Sequence, residues 1–414
     1  MEVNVPLVIN DAGESEIRDD SHRKSSNFKV AINILKSSIG IGILALPYCF
    51  LKTGLLLSLI VLIIIAFLTI YTVILIARLA EVKELKETNF TELYKDYVGQ
   101  WSMVIFQVLM AILYFGSGVS YVIFFIDFFI NAFGTPHEIT YSLIFSLVSL
   151  CIILPLSFIR KLEFFAHYSF LSNLLMIGAY IFVLSYPLSH VDKENFKNLA
   201  NFENLSGLLG VALFAYVSPG LIIPIRNSMK KKEQFPKVFS SVLLVVLFIY
   251  SFFAIACCLG FNQIQLTQNI LEGFGQIDTT YLWVQGLYAL ALVFSYPLQL
   301  QALFEVLENI PYVKNLLNIH KTNWFYKNIV RIMVSFLIFP LGIFIRKFAD
   351  FINLLGALCY FVIQFIYPCW AYNVCFKNEI KWYQRYFHYF LILFSVAGFI
   401  ITTYDSFVQL ITNF

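Results

Sequence analysis

Long apolar runs separated by short polar turns repeat along the chain from about residue 28 to residue 412. A helix needs about 20 such residues to cross a bilayer. The runs centre near residues 40, 66, 115, 148, 175, 214, 248, 292, 336, 362 and 398, and so predict eleven transmembrane helices in an all-α membrane protein. Two of these runs are interrupted. Lys36 to Pro47, reading KSSIGIGILALP, sets two glycines and a charge inside the first, and FAYVSPG followed by Pro224 interrupts the sixth. Glycine disfavours helix interiors, and at membrane depth freed backbone groups persist only where they line a protein-enclosed cavity. Discontinuous first and sixth helices are therefore expected, as in secondary transporters. Because the breaks lie five spans apart, a five-plus-five inverted repeat is expected over residues 28–188 and 204–375. An extra helix at 384–412 and a disordered cytoplasmic tail at 1–27 complete this plan, in which 28–414 form one membrane domain.

Composition agrees with the pattern and adds orientation. The 414 residues are 59% hydrophobic and 13% charged, against about a quarter charged in soluble domains. A net charge of +3 is too small to suggest a nucleic-acid partner. Positive charge clusters on one face: with the N-terminus cytoplasmic, 22 of the 28 Lys and Arg residues fall in cytoplasmic segments and 5 on the other side. Lys36 lies within the first span. The positive-inside rule then sets the N-terminus in the cytoplasm and the C-terminus on the opposite face. The polar start has no short apolar core of a cleavable signal, so the first span is expected to stay as an anchor. Of two sequons, Asn204-Leu205-Ser206 falls on the outer face and Asn89-Phe90-Thr91 on the inner. Glu81 to Tyr97 reads either as an amphipathic surface helix or as a solvated linker. The seven cysteines lie in or beside apolar runs without ligand spacing, which predicts neither a metal site nor a structural disulfide.

The breaks suggest a ligand. N–H groups exposed where a half-helix begins favour an anion, so Gly42, Ile43 and Leu44 suit a carboxylate. Unwound carbonyls from Phe214 to Tyr216 can receive an ammonium group. An α-amino acid carries both charges. No Asp or Glu occurs in either broken segment or in 282–301, so a cationic side chain would lack a partner and neutral substrates are expected. Charges elsewhere in or near spans are Asp127, Glu163, His167, Glu305, Glu308 and Asp405, with Asp127 and Asp405 deepest.

KSSIGIGILALPYCFLKTG and FAYVSPGLIIPIRNSMKKKEQFPKV resemble the first and sixth spans of the amino acid/auxin permease family, within the amino acid, polyamine and organocation superfamily. SYPLQLQALFEVLE in the eighth span and RKFADFINLLGA opening the tenth resemble it too, and the likeness runs from about residue 28 to 412. It implies an eleven-helix transporter, similar to vacuolar, proton-coupled and system A/N-type carriers, that takes a free amino acid. By that resemblance Ser38, Gly40, Ile41, Gly42 and Ile43 surround the carboxylate, and Phe214, Tyr216 and Ser218 the amine and side chain. Ser117 and Tyr121, four apart on the third span, share one face, and Tyr121 resembles an aromatic of the family that could hydrogen-bond the carboxylate.

Departures bear on coupling. Proton-coupled relatives often place Glu where this chain has Val217. Sodium-coupled relatives tend to carry a small polar residue at Lys36 and a hydroxyl at Ser295. An ammonium one turn before the break repels Na⁺, so Lys36 argues for protons, unless it snorkels to the interface. The resulting expectation is a symporter or antiporter of neutral amino acids in a vacuolar, lysosomal or plasma membrane. It needs no cofactor, obligate protein partner or covalent chemistry. An amino acid sensor of the same fold is the alternative. A membrane enzyme is disfavoured because no His–Asp or Cys–His cluster lies within a span.

Overall fold

The computed structural model describes residues 8–9, 15–16, 25–82, 94–95, 97–136, 138–158, 162–189, 199–216, 219–260, 267–275, 282–308, 310, 323–345 and 347–411. Helices make up the described bundle. The one exception is a short antiparallel pairing of Val8–Ile9 with Ser15–Glu16 near the start.

The first helix pair is α1 (Asn27–Ser38) and α2 (Leu46–Thr53), joined through a 3-10 turn at Ile41–Ala45 and bent by 46°. There follow α3 (Leu55–Val82), α4 (Gln100–Phe133), α5 (Ile139–Ser157) and α6 (Leu162–Ser189). The second half opens with α7 (Leu205–Tyr216), a 3-10 turn at Pro219–Leu221 and α8 (Ile222–Asn227). Then come α9 (Phe235–Gly260), the short α10 (Ile270–Gly275), α11 (Leu282–Glu308) and α12 (Asn323–Phe344). Next, α13 (Phe348–Leu355) continues as a π-helix over Gly356–Ile366 into α14 (Tyr367–Cys375), and α15 (Trp382–Ile411) closes the chain.

Among the described residues, eight helical runs are long and apolar enough to cross a membrane, and the bent first pair makes a ninth. Two shorter apolar helices, Ile139–Pro155 and Asn328–Phe344, stand where the sequence places the fourth and ninth spans. The expected count of eleven therefore needs both of these to cross as well.

Packing explains which helices surround the breaks. α11 lies against α4 and α6, α13 and the π-helix lie against α7, and α9 packs on α1, α2 and α3. The tightest approach is between α7 and the start of the π-helix. A Cβ added to Gly210 would stand 2.1 Å from the Asn353 carbonyl oxygen, and one added to Gly356 would stand 1.9 Å from that of Gly210. The Gly210 N–H donates to Asn353 Oδ1 (2.9 Å), while Asn353 Nδ2 donates to Ser406 Oγ on α15 (2.6 Å).

At the opposite end, the chain just before α1 is tied down. The Ser25 N–H donates to the Ser228 carbonyl (2.8 Å) and the Lys230 N–H donates to the Ser25 carbonyl (3.2 Å). Residue 25 belongs to the folded bundle, although the tail was expected to run free to residue 27. Buried Arg226 pairs with Glu81 on this side at 3.5 Å. Most of residues 81–97 and the sequon at Asn89 lie outside the described residues. The side chains of Glu163 and His167 also lie outside them. Asp405 accepts from Ser206 and from Gln409, and Glu308 lies 3.9 Å from Arg331. All seven cysteines carry free thiols.

Candidate functional site

The first break arises from local chemistry. Proline has no N–H to offer the preceding turn, and Pro47 sits in the opening turn of α2, where that loss costs nothing because first-turn N–H groups lack partners anyway. Upstream, Ile39 and Gly40 are extended, at φ −81°, ψ 102° and φ −139°, ψ −163°. The Ile39 N–H still reaches the Leu35 carbonyl (3.1 Å), and that of Ile43 reaches Gly40 (3.4 Å). Between them, the N–H groups of Gly40, Ile41 and Gly42 find no hydrogen-bond partner among the described residues. Three bare donors therefore sit together at the start of a half-helix.

In the sixth span α7 is described as far as Tyr216 and a 3-10 turn from Pro219 onward, and 202–227 count together as one membrane-length run, whereas the first pair is bent by 46°. Val217 and Ser218 lie outside the described residues, so the proposed role of Ser218 has no structural counterpart here. The first and sixth spans meet. A Cβ on Gly42 would stand 3.0 Å from Ala215 Cα and 3.1 Å from the Phe214 ring, so only glycine allows this approach without displacing the α7 backbone.

A cavity of about 100 Å³ opens at this meeting point. Ser38, Gly40, Ile41 and Gly42 line it from the first span, Ser117 and Tyr121 from α4, and Phe214 from α7. Other residues singled out from the sequence lie elsewhere. Ile43 packs into the apolar core. The Tyr216 hydroxyl donates to the Leu62 carbonyl (2.7 Å). Lys36 sits half-buried in the last turn of α1 and does not line the cavity. Ser295 lies behind the wall, with Tyr121 beside it.

Four polar side chains that sequence reasoning passed over do line the cavity: Ser37, Tyr114, Gln299 and Tyr360. Gln299 stands one turn beyond Ser295 on α11. That i, i+4 pairing of polar residues in an apolar helix was the available signal. Tyr360 falls within the π-helix, a geometry that recurs at functional positions. No Asp, Glu, Lys, Arg or His side chain lines the cavity among the described residues.

Hydroxyl chemistry divides the wall into donor and acceptor parts. Ser38 donates to the Ile34 carbonyl (2.8 Å) and Ser117 to that of Leu113 (2.8 Å). With their hydrogens committed, these oxygens face a ligand as acceptors. The carbonyls freed by the break are capped from outside it. Tyr180 on α6 donates to the Gly40 carbonyl (3.2 Å) and contacts the Tyr288 hydroxyl (3.0 Å). Tyr250 on α9 reaches two carbonyls, Ser38 and Ala215 (2.8 Å), one from the first span and one from the sixth. A phenol has a single hydrogen, so Tyr250 shares it between both chains. The neutral cavity thus offers bare N–H donors from the first span together with the hydroxyl oxygens of Ser38 and Ser117.

An all-helical bundle of apolar, membrane-length helices, arranged around a small cavity at a helix break, defines an integral membrane protein with a transporter fold. Solved structures of similar fold include a Na⁺-coupled sialic acid symporter in a substrate-bound, outward-open state, at 13% identity and a TM-score of 0.55 over 94% of this chain and 92% of that one. A manganese transporter from Eremococcus coleocola, bound to an aromatic bis-isothiourea compound, aligns at 12% identity and 0.56 over 92% of this chain and 86% of that one.

The sequence profile described as "Transmembrane amino acid transporter protein" matches residues 23–408, and the chain belongs to that family of transporters, not enzymes. Among its relatives is Vacuolar amino acid transporter 4 of Saccharomyces cerevisiae, 26% identical over 92% of this chain and 58% of the relative. Vacuolar amino acid transporter 3 of Schizosaccharomyces pombe is 23% identical over the same shares, 92% and 58%. Amino acid transporter AVT3C of Arabidopsis thaliana is 24% identical over 87% of this chain and 85% of its own length. The chain spans little more than half the length of the two fungal relatives.

Proposed function

We propose that the chain carries neutral α-amino acids across a vacuolar membrane by alternating access, coupled to protons and not to sodium. The observation that carries this reading is the cavity, uncharged among the described residues, where the N–H groups of Gly40, Ile41 and Gly42 find no hydrogen-bond partner among those residues. A carboxylate fits those donors, since hydrogen bonds to a charged group contribute about 1.5–3 kcal/mol and the half-helix dipole adds to them. The ammonium group fits the Ser38 and Ser117 oxygens, whose own hydrogens go to the Ile34 and Leu113 carbonyls. A charged side chain would enter a space that offers no counter-charge, at a desolvation cost that hydrogen bonding alone does not offset.

Two features favour protons over sodium. Carbonyl oxygens are hard ligands suited to a small cation, but those of Ser38, Gly40 and Ala215 already accept from Tyr250 and Tyr180. Lys36 adds a positive charge one turn before the break. The vacuolar membrane follows the names of the fungal relatives, and the inverted repeat over 28–188 and 204–375 supplies the symmetry by which one helix group rocks against the other.

The test is uptake of a panel of labelled amino acids by liposomes containing the full chain, with imposed pH or Na⁺ gradients. Neutral amino acids driven by a pH gradient are expected. Uptake driven by Na⁺ alone would sink the coupling, and binding without counterflow would mark a sensor instead.

A further inference from the structure

A second cavity of about 210 Å³, twice the size of the first, lies at the far end of α2. Tyr48 and Lys52 of α2, Asn204 before α7, Gln268 before α10, Lys347 capping α13 and Asp350 within it contribute to its polar wall. α7 lines both cavities, while α2 and α13 continue the first and tenth spans beyond the part of each that lines the central one. From Ala215 to Leu208 on α7 is seven residues, or about 10 Å of helix. Between the two cavities stand Gly210 and Gly356, whose backbones leave no room for a Cβ. The outer cavity is thus an antechamber, closed off from the inner one by α7 lying against the π-helix.

Of the charges lining this antechamber, Asp350 pairs with Lys347, while Lys52 has no ion-pair partner among the described residues. Asp350 is buried at 9% exposure. Its Oδ2 accepts from Gln268 Nε2 (2.9 Å) and lies 4.0 Å from Lys347 Nζ. Gln268 is itself fixed, its Oε1 accepting the Ala349 N–H at 3.0 Å. No hydrogen bond reaches Asp350 Oδ1 among the described residues. Across the cavity, exposed Lys52 has its Nζ 5.7 Å from the centre of the Tyr48 ring, and no carboxylate lies within ion-pair distance of it among the described residues. Its backbone is held by Asn204, whose Nδ2 donates to the Lys52 carbonyl (3.4 Å) and whose own carbonyl accepts from Thr53 Oγ1 (3.1 Å).

We propose that this antechamber is a second amino acid site, in which Lys52 takes the α-carboxylate and Asp350 Oδ1 the α-ammonium of a substrate waiting for the Gly210–Gly356 contact to part. The proposal rests on the amino acid reading of the central cavity and extends it to a site with the opposite construction. The inner site is built from uncharged backbone and hydroxyl groups, which bind any zwitterion once it is dehydrated. The outer one offers full charges, which attract it at longer range while it is still hydrated. Because the antechamber is reached from one face only, it affects capture from that face and leaves capture from the other unchanged.

The test uses the full chain in liposomes sorted by which end of the protein faces outward, and whichever of twenty labelled amino acids the unaltered chain moves fastest. Lys52→Gln and Asp350→Asn should each raise KM about tenfold for substrate offered at the Lys52 face, with kcat unchanged. KM from the opposite face should stay at the unaltered value, and Lys52→Arg should behave nearly as the unaltered chain. An unchanged KM at the Lys52 face, or an equal rise at both faces, overturns the antechamber while leaving the central site standing. If none of the twenty amino acids moves, both readings fall together. Lys52 is exposed, so Lys52→Gln tests the idea even where Asp350→Asn lowers folding yield.

Discussion

Gly40 and Gly42 lie two residues apart in the same broken segment, yet alanine at each should fail in different ways. The Gly40 backbone is extended, a conformation alanine adopts freely, and an added Cβ meets nothing within 4 Å because it projects into the cavity. Gly40→Ala should therefore leave thermal stability unchanged while crowding the three bare N–H groups. Losing one hydrogen bond to a charged carboxylate, about 1.5–3 kcal/mol, corresponds to a roughly 10- to 150-fold weaker Kd. At Gly42 the added Cβ meets Ala215 Cα at 3.0 Å. A backbone atom cannot rotate aside, so the strain of overpacking, ~1–3 kcal/mol, falls on the folded protein whether or not ligand is bound. The assay pairs equilibrium binding of a labelled neutral amino acid in detergent with thermal unfolding of the same samples. Normal affinity in Gly40→Ala would falsify the assignment of the carboxylate to these N–H groups. An unshifted unfolding curve in Gly42→Ala would contradict the close approach of the first and sixth spans.

Tyr250→Phe removes the one hydrogen shared by the Ser38 and Ala215 carbonyls. It should lower stability by about 1–3 kcal/mol, and combined with Tyr180→Phe it should make uptake sensitive to Na⁺; a doubly substituted carrier indifferent to Na⁺ would show that the capped carbonyls do not govern ion choice. Gly210→Ala forces a Cβ to within 2.1 Å of the Asn353 carbonyl and should hold α7 away from the π-helix. A membrane-impermeant thiol reagent applied at the Lys52 face should then modify Ser38→Cys faster than in the Gly210 background, and an equal rate would count against this contact as the barrier. Glu272 on α10 lies beside Asp127, and burial raises its carboxyl to about 6. The folded state binds this proton more tightly than the unfolded chain, so stability should fall as pH rises from about 4.5 to about 6. Glu272→Gln should flatten that segment of the pH profile, and an unaltered slope would assign the titration to another group.

The first break could be read from the sequence because its cause is local: glycines and a proline within twelve residues leave a continuous helix few bonds to make. The meeting of the two spans followed from their spacing and their small residues. The walls were harder to foresee. α7 and α11, which help line the cavity, show no dominant apolar face, so periodicity marks no inward side, and the cavity-facing positions depend on which neighbour each helix meets. Gln299 projects inward because α11 is wedged between α4 and α6. Tyr360 does so in a π-helical stretch, where five-residue bonding shifts the register that a 3.6-residue repeat would assign. The phenols that cap the freed carbonyls come from 140 and 212 residues away along the chain, a distance no local pattern spans. Ile43 was drawn to the site by its neighbours, but in a 3-10 turn adjacent side chains diverge, and its own turns into the core.

The contacts that shut the two ends of the bundle differ in kind, and the difference bears on how the carrier moves. At the Lys52 end, closure is main chain against main chain, Gly210 on Gly356, locked by the buried amide of Asn353 between α7 and α15. Parting these surfaces strands Asn353 and the Gly210 N–H away from their partners. At the Ser25 end, closure rests on two backbone hydrogen bonds to the segment after α8 and on the Arg226–Glu81 pair. Each such hydrogen bond contributes only about 0.5–1.5 kcal/mol net. Arg226 is held at 4% exposure with its Nε lacking a hydrogen-bond partner among the described residues, so opening this end returns a buried cation to water and offsets part of the cost. The empty carrier should accordingly open first at the Ser25 end. The Lys52 end then needs an added driving force to part α7 from the π-helix, which a zwitterion drawn against the bare N–H groups beside Ala215 can supply only if it binds the open arrangement more tightly than the closed one.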